Sequence, residues 1–385
     1  MTVAMKRVLV VYGTRPEAIK LAPVVLALRR AGVPTFLLST GQHREMLASV
    51  LGAFGLVPDR DLGVMRPDQS LAGLSARILQ AADQVLTELE PSWVVVQGDT
   101  TIVAMMALAA FYRKLRVAHV EAGLRTGDRY DPFPEEMNRT LLAPLAALHF
   151  APTERARENL LAEGVPAGAV QVVGNTVIDA LRHVEARVRP EPFSRYGLPD
   201  PAGRHLVVVT GHRRESFGAG FEGVFAGLAE LAGKLTGEVL IVYPVHLNPN
   251  VREPAHRLLA GLPDLALIEP LAYEPFVKLL TSARLIVTGS SDAWFVEYRS
   301  QCGSASMQAP SRFRGADCSS MRHPGGAGVC SVSISCARGT WQRRGAVSRR
   351  PSRVTRTTCG SRTHWICSTR SRTIVKFDRI ASSSC

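Results

Sequence analysis

The apolar run Val94-Val95-Val96-Gln97 stops at Gly98-Asp99-Thr100-Thr101, and His119-Val120 stops at Glu121-Ala122-Gly123. A third acidic turn, Pro134-Glu135-Glu136, opens the next helical stretch. Strands apolar at consecutive positions need cover on both faces, and strands joined through a helix run parallel. In such an open sheet the carboxyl ends of the strands share one edge, where ligands meet the fold. Asp99, Glu121 and Glu135 are therefore expected on that edge.

The same alternation extends on both sides. Arg7 to Tyr12 reads as a strand ending at Gly13-Thr14-Arg15-Pro16, with helical spacing from Glu17 to Arg30. Pro34 to Ser39 is the next strand, and Gly41 to Glu45 opens a helix through Phe54. Ser70 can cap a helix to Glu90 that Pro91 ends. Helices over Thr101–Lys114, Pro134–Leu145 and Thr153–Gly164 separate strands at Trp93–Gln97, Val117–Val120, Leu148–Ala151 and Val170–Val173. A proline-rich passage, Pro190 to Gly203, follows a helix that begins at Asn175. Alternation then restarts with strands at His205–Thr210, Val239–Tyr243, Leu265–Ile268 and Leu285–Thr288. The fold class is α/β, two Rossmann-like domains over residues 1–174 and 175–288, the second incomplete.

Beyond Thr288 the periodicity vanishes. Leu285 is the last leucine, and residues 289–385 hold fifteen Arg and one Lys against four acids, so this tail carries +12 of the chain's +13. Residues 1–288 are left near neutral, which argues against a nucleic-acid face on the body. All seven cysteines lie in the tail with no C-x-x-C, so neither a disulfide framework nor a metal site is expected. An Arg/Ser-rich segment without leucine is expected to stay unstructured. Its abrupt onset at a strand end reads as translation out of frame, with a basic disordered tail as the alternative. The cysteine-free body fits the cytoplasm, and neither a signal peptide nor a membrane span is expected.

The Gly13-to-Lys20 turn sits where a strand meets a helix N-terminus, so its free N–H groups, Arg15 and Lys20 suit an anion. The turn lacks the G-x-G-x-x-G spacing of dinucleotide binders. Asp99 could be only a helix cap, Glu121 only a turn former, and Glu135 the partner of Arg139 in an ordinary i,i+4 ion pair. Three carboxylates facing two cations favour acid/base chemistry beside an anion. His212, between Gly211 and Arg213-Arg214, again points to phosphate. Gln42, His43 and His246 are turn residues or a second polar wall.

These motifs resemble a family. GTRPEAIK (Gly13–Lys20), QHREM (Gln42–Met46), GDTT (Gly98–Thr101), HVEAGLRTGD (His119–Asp128), PFPEEMNR (Pro132–Arg139), GNTVIDA (Gly174–Ala180), TGHRRESFG (Thr210–Gly218) and HLNPNVREP (His246–Pro254) resemble, in order, the non-hydrolysing UDP-N-acetylglucosamine 2-epimerases. The resemblance implies a glycosyltransferase-B-like domain pair, a UDP-sugar substrate, a homodimer and no redox cofactor. It implies acid/base roles for Asp99, Glu121 and Glu135, and His212 at the diphosphate. It further implies Arg15, Lys20 and Arg139 as substrate-binding, Phe276 near the uracil, and Gln42, His43 and His246 at a regulatory site. No nucleic acid or membrane partner is implied. A glycosyltransferase of the same architecture and an inactive nucleotide-sugar binder are the alternatives. The resemblance ends near Thr288, where the family continues with a Gly-Gly helix start and paired glutamates. Poor folding beyond about Pro190 and little activity are therefore expected.

Overall fold

The computed structural model describes residues 7–41, 44–66, 68–210, 219–288, 355–359, 362–369 and 372–376. The chain forms two compact units, one reaching Arg187 and including Ala272–Glu274, the other comprising the remainder from Val188. The division thus falls after the helix that the sequence reading assigned to the second domain.

The first unit runs β1 (Val8–Tyr12), α1 (Arg15–Arg30), β2 (Thr35–Ser39), α2 (Arg44–Gly52), β3 (Arg60–Asp61), α3 (Leu71–Leu89), β4 (Trp93–Gln97), α4 (Thr101–Tyr112), β5 (Arg116–Val120), α5 (Glu135–Leu145), β6 (Leu148–Ala151), α6 (Glu154–Ala162), β7 (Val170–Val172) and α7 (Thr176–Val188). Its sheet order is β3-β2-β1-β4-β5-β6-β7, parallel throughout. The order reverses between β1 and β4, so this is the switch point where the crevice opens. Val94, Val95 and Val96 of β4 are buried, as a strand covered on both faces requires. Each contributes roughly 1.5–3 kcal/mol of apolar burial. α4 carries Ile102, Val103, Met106 and Ala110 into one core with Ile78 and Val85 of α3 and Leu9 and Val11 of β1.

Helix starts follow local chemistry. Ser70, Thr100 and Thr153 each cap a helix by accepting a backbone N–H three residues on, from Gly73, Val103 and Ala156. Gly123 has φ +84, and a Cβ there would stand 2.1 Å from the Ala156 carbonyl oxygen, so β5 can exit close to α6 only through glycine.

The second unit runs β8 (His205–Thr210), α8 (Ala219–Lys234), β9 (Val239–Pro244), α9 (Pro249–Leu259), β10 (Leu265–Ile268), α10 (Tyr273–Ser282), β11 (Leu285–Thr288), β12 (Thr355–Cys359), β13 (Arg362–Thr369) and β14 (Arg372–Lys376), α10 beginning in the segment that clusters with the first unit. The sheet order is β10-β9-β8-β11-β14-β13-β12. Residues beyond Pro190 build ordered cores: Val209, Phe225, Ile241 and Leu259 are buried together, as are Leu206, Val208, Leu279 and Ile286. Between Thr355 and Lys376 the tail, expected without structure, supplies three strands, β14 parallel to β11 and β13 antiparallel to both β14 and β12. These segments are rich in Thr, Ile and Val, whose β propensity acts without leucine.

Candidate active site at the switch point of the first sheet

At the carboxyl end of β1, Thr14 and Glu17 form a capping box at the start of α1. The Glu17 carboxylate is buried; its Oε2 accepts the Gly13 N–H at 2.6 Å and the Thr14 N–H at 3.0 Å. Its Oε1 accepts the Thr100 hydroxyl at 2.8 Å. Burial pushes the Glu17 pKa up, against the lowering effect of these donors. This corrects the reading of the turn. The Gly13 and Thr14 N–H groups expected to bind an outside anion already serve an internal one, which leaves that task to Arg15. The Arg15 guanidinium makes no hydrogen bond or ion pair among the described residues. Burial lowers its pKa, and the buried Tyr273 phenol opposes that shift.

On the next turn, Arg139 closes on Asp99 from Nε at 2.8 Å and Nη2 at 2.5 Å, both to Oδ2. Oδ1 of Asp99 receives no donor among the described residues. Asn138 Nδ2 donates to the Asp99 carbonyl at 2.8 Å, tying α5 to the end of β4. Arg139 Nη1 also meets Glu136 Oε2 at 3.1 Å, while Glu136 Oε1 accepts the Thr126 and Gly127 N–H groups. Burial acts to raise the Glu136 pKa, yet those two amides and Arg139 hold it below the usual carboxylate range. The i,i+4 pair between Glu135 and Arg139 is therefore not formed. Glu135, half-buried at the start of α5, has no hydrogen bond or ion pair among the described residues.

Glu121, just past β5, has φ +64, a left-handed backbone that side chains other than glycine adopt rarely. Both of its oxygens are occupied. Lys20 Nζ lies 2.8 Å from Oε1 and 2.6 Å from Oε2, Asn175 Nδ2 donates to Oε1 at 2.9 Å, and Gln97 Nε2 donates to Oε2 at 2.5 Å. Lys20, expected to meet substrate, is thus placed on Glu121. Below it, His119 is buried with Nε2 donating to the Gly98 carbonyl at 2.8 Å, and burial pushes its pKa down to about 4. The imidazole is neutral at pH 7.

Asp99, Glu121, Glu135, Arg15, Lys20 and Arg139 all belong to the first unit. Phe276 lies in the second, partly buried on α10 against Leu279 and Leu280. His246 is exposed after β9, its Nδ1 accepting the Asn248 N–H at 3.1 Å. Gln42, His43 and His212 lie outside the described residues. Sequence reasoning passed over Glu17, Gln97, Asn175, Glu136 and Asn138. A Thr-x-x-Glu capping signature marked Glu17, but nothing local marks Gln97 or Asn175, whose partner is 24 and 54 residues away.

Residues 26–294 match a family profile described as UDP-N-acetylglucosamine 2-epimerase. A probable UDP-N-acetylglucosamine 2-epimerase of Ralstonia solanacearum is 53% identical over 292 residues, 74% of this chain and 78% of that protein. The UDP-N-acetylglucosamine 2-epimerase of Escherichia coli K12 is 50% identical, covering 74% of this chain and 77% of its own length. A UDP-GlcNAc 2-epimerase of Neisseria meningitidis, solved bound to UDP-GlcNAc, superposes with a TM-score of 0.68 at 42% identity, over 74% of this chain and 78% of that one. The profile match stops just past β11.

Proposed function

The chain belongs to the UDP-N-acetylglucosamine 2-epimerase family, and on that premise we propose that its first unit carries the proton-moving half of an epimerisation at carbon 2 of UDP-N-acetylglucosamine, giving UDP-N-acetylmannosamine. The observation that carries this reading is the set of carboxylates Asp99, Glu121 and Glu135 around one switch point with Arg15, Lys20 and Arg139. Carbon 2 has no adjacent carbonyl, so direct removal of its proton would leave a carbanion without stabilisation. Expulsion of UDP avoids this. A base takes the carbon 2 proton as the carbon 1–oxygen bond breaks and its electron pair leaves with UDP, forming 2-acetamidoglucal. Delivery of a proton to the opposite face of carbon 2 and attack of a UDP oxygen on carbon 1 complete the exchange.

The three carboxylates are unequally suited to move that proton. Among the described residues, nothing donates to either oxygen of Glu135 or to Oδ1 of Asp99. Glu121 could take a proton only by displacing a donor, so it holds Lys20 in place until substrate competes for one of them. Arg15, unpaired among the described residues, is suited to the departing diphosphate. His212 and Phe276 complete the proposal at the diphosphate and the uracil, Gln42, His43 and His246 at a regulatory sugar-nucleotide site, and the active species is a homodimer. The product feeds surface polysaccharide synthesis.

The likeness to the family stops just past β11, so binding energy that relatives draw from beyond it is missing, and lost remote binding lowers turnover as well as affinity. Slow epimerisation is expected. Incubation of the full chain with UDP-N-acetylglucosamine in deuterated water tests this: deuterium appears at carbon 2 with the mannosamine epimer. A chain that binds UDP by calorimetry but exchanges no carbon 2 proton would be a nucleotide-sugar binder instead, and transfer of sugar to an added acceptor would make it a glycosyltransferase.

A further inference from the structure

Glu17 is 2% exposed and has no step in the reaction above. Its carboxylate nevertheless touches both turns at the switch point. On one side it takes the Gly13 and Thr14 N–H groups, immediately before Arg15. On the other it takes the Thr100 hydroxyl, immediately after Asp99. The ladder between β1 and β4 pairs Val8 with Trp93, Leu9 with Val94 and Val10 with Val95, and goes no further. Each strand runs two residues beyond the last pair, so backbone bonds do not hold the turns that carry Arg15 and Asp99 at a fixed distance.

We infer that Glu17 is a positioning residue, a buried strut that sets the spacing of the Arg15 turn from the Asp99 turn. Three donors converge on it, and a carboxylate can accept all three. An amide oxygen could still take the Gly13 and Thr14 N–H groups, but the third bond would have to reverse, the NH2 donating to Thr100 Oγ1 and the hydroxyl proton losing its acceptor. The turn has no slack to rearrange, since a Cβ at Gly13 would lie 2.2 Å from Ile102 Cδ1 and 2.6 Å from Thr40 Oγ1. The strut itself rests on this geometry; its catalytic consequence rests on the epimerase reading.

The test uses the full chain with Glu17→Ala, Glu17→Gln, Thr100→Val and Thr100→Ser. In backbone hydrogen exchange, Glu17→Ala raises the rate about 10-fold not only in residues 12–18 but also in 98–104, which its carboxylate bonds through the Thr100 hydroxyl. A rise confined to 12–18 overturns the strut. Glu17→Gln leaves no cavity and reverses only the Thr100 bond, so a smaller rise in the same two segments is expected. In carbon 2 exchange, Thr100→Val lowers kcat about 10- to 100-fold with KM within about twofold, the size of loss that a small misplacement of a reacting group brings. Thr100→Ser restores it. Unchanged kcat in a folded Thr100→Val protein overturns the positioning role. If the unsubstituted chain exchanges no carbon 2 proton, the epimerase reading fails, while hydrogen exchange still decides the strut.

Discussion

The two units reach sheets of the same strand number by different routes. In the first, every neighbouring pair is parallel, so each strand had to be returned by a crossover, and the apolar faces of α3 and α4 cover it. In the second, the parallel set stops at β11 and β14, and the remaining edge is an antiparallel meander whose strands are separated by two residues of chain. A meander needs only local β propensity, whereas a crossover needs a helix with an apolar stripe. The contrast teaches why a leucine-free segment can extend a sheet by local strand pairing alone.

The first effect expected from this contrast is on turnover. Replacing residues 289–385 by the corresponding part of the Escherichia coli relative should raise carbon 2 exchange about 100-fold or more, because remote binding energy is restored to the reacting centre. No gain would mean that the second unit does not limit the chain. Sequencing the DNA around codon 288 bears on the same point, since a single open frame encoding this tail in sister strains would end the out-of-frame reading.

Within the first unit the neighbours Glu135 and Glu136 separate chemistry from structure. Glu135→Gln should lower turnover about 100- to 10,000-fold with the melting temperature nearly unmoved. Glu136→Gln loses charge-assisted bonds to Thr126, Gly127 and Arg139 and should cost about 2 kcal/mol of stability in a denaturant melt. The reverse pattern would exchange the roles assigned to them.

A smaller effect concerns pH. His119 stays neutral in the fold to about pH 4, while in the unfolded chain it takes a proton near pH 6.5. Because the folded pKa is depressed, the unfolded state gains protons first as pH falls. Stability is therefore full above about 6.5 and declines towards 4. His119→Gln, which keeps a donor for the Gly98 carbonyl, should flatten the first unit's denaturation midpoint across that window. An unchanged slope would place its origin in other groups.

Much of the first unit was legible from sequence. Short β-branched runs, the cap at Ser70 and turns at strand ends depend on residues within a few positions of one another, and local rules read them; the cap of α4 was expected at Asp99 and falls on Thr100. The two-residue β3 was missed because it has no apolar run and exists only by pairing with β2.

The sequence by itself indicated that Asp99 and Glu121 follow strand ends and that Glu135 opens a helix, all three expected on one edge. Only the tertiary structure decided their partners: Arg139 for Asp99 across 40 residues, Lys20 for Glu121 across 101, and Glu17 for the N–H groups that a nearby phosphate was expected to take. The reason is the strand order. β1 lies beside β4 although 80 residues of chain separate them, so Lys20 of α1 meets Glu121 beyond β5 through a neighbourhood that no local period encodes.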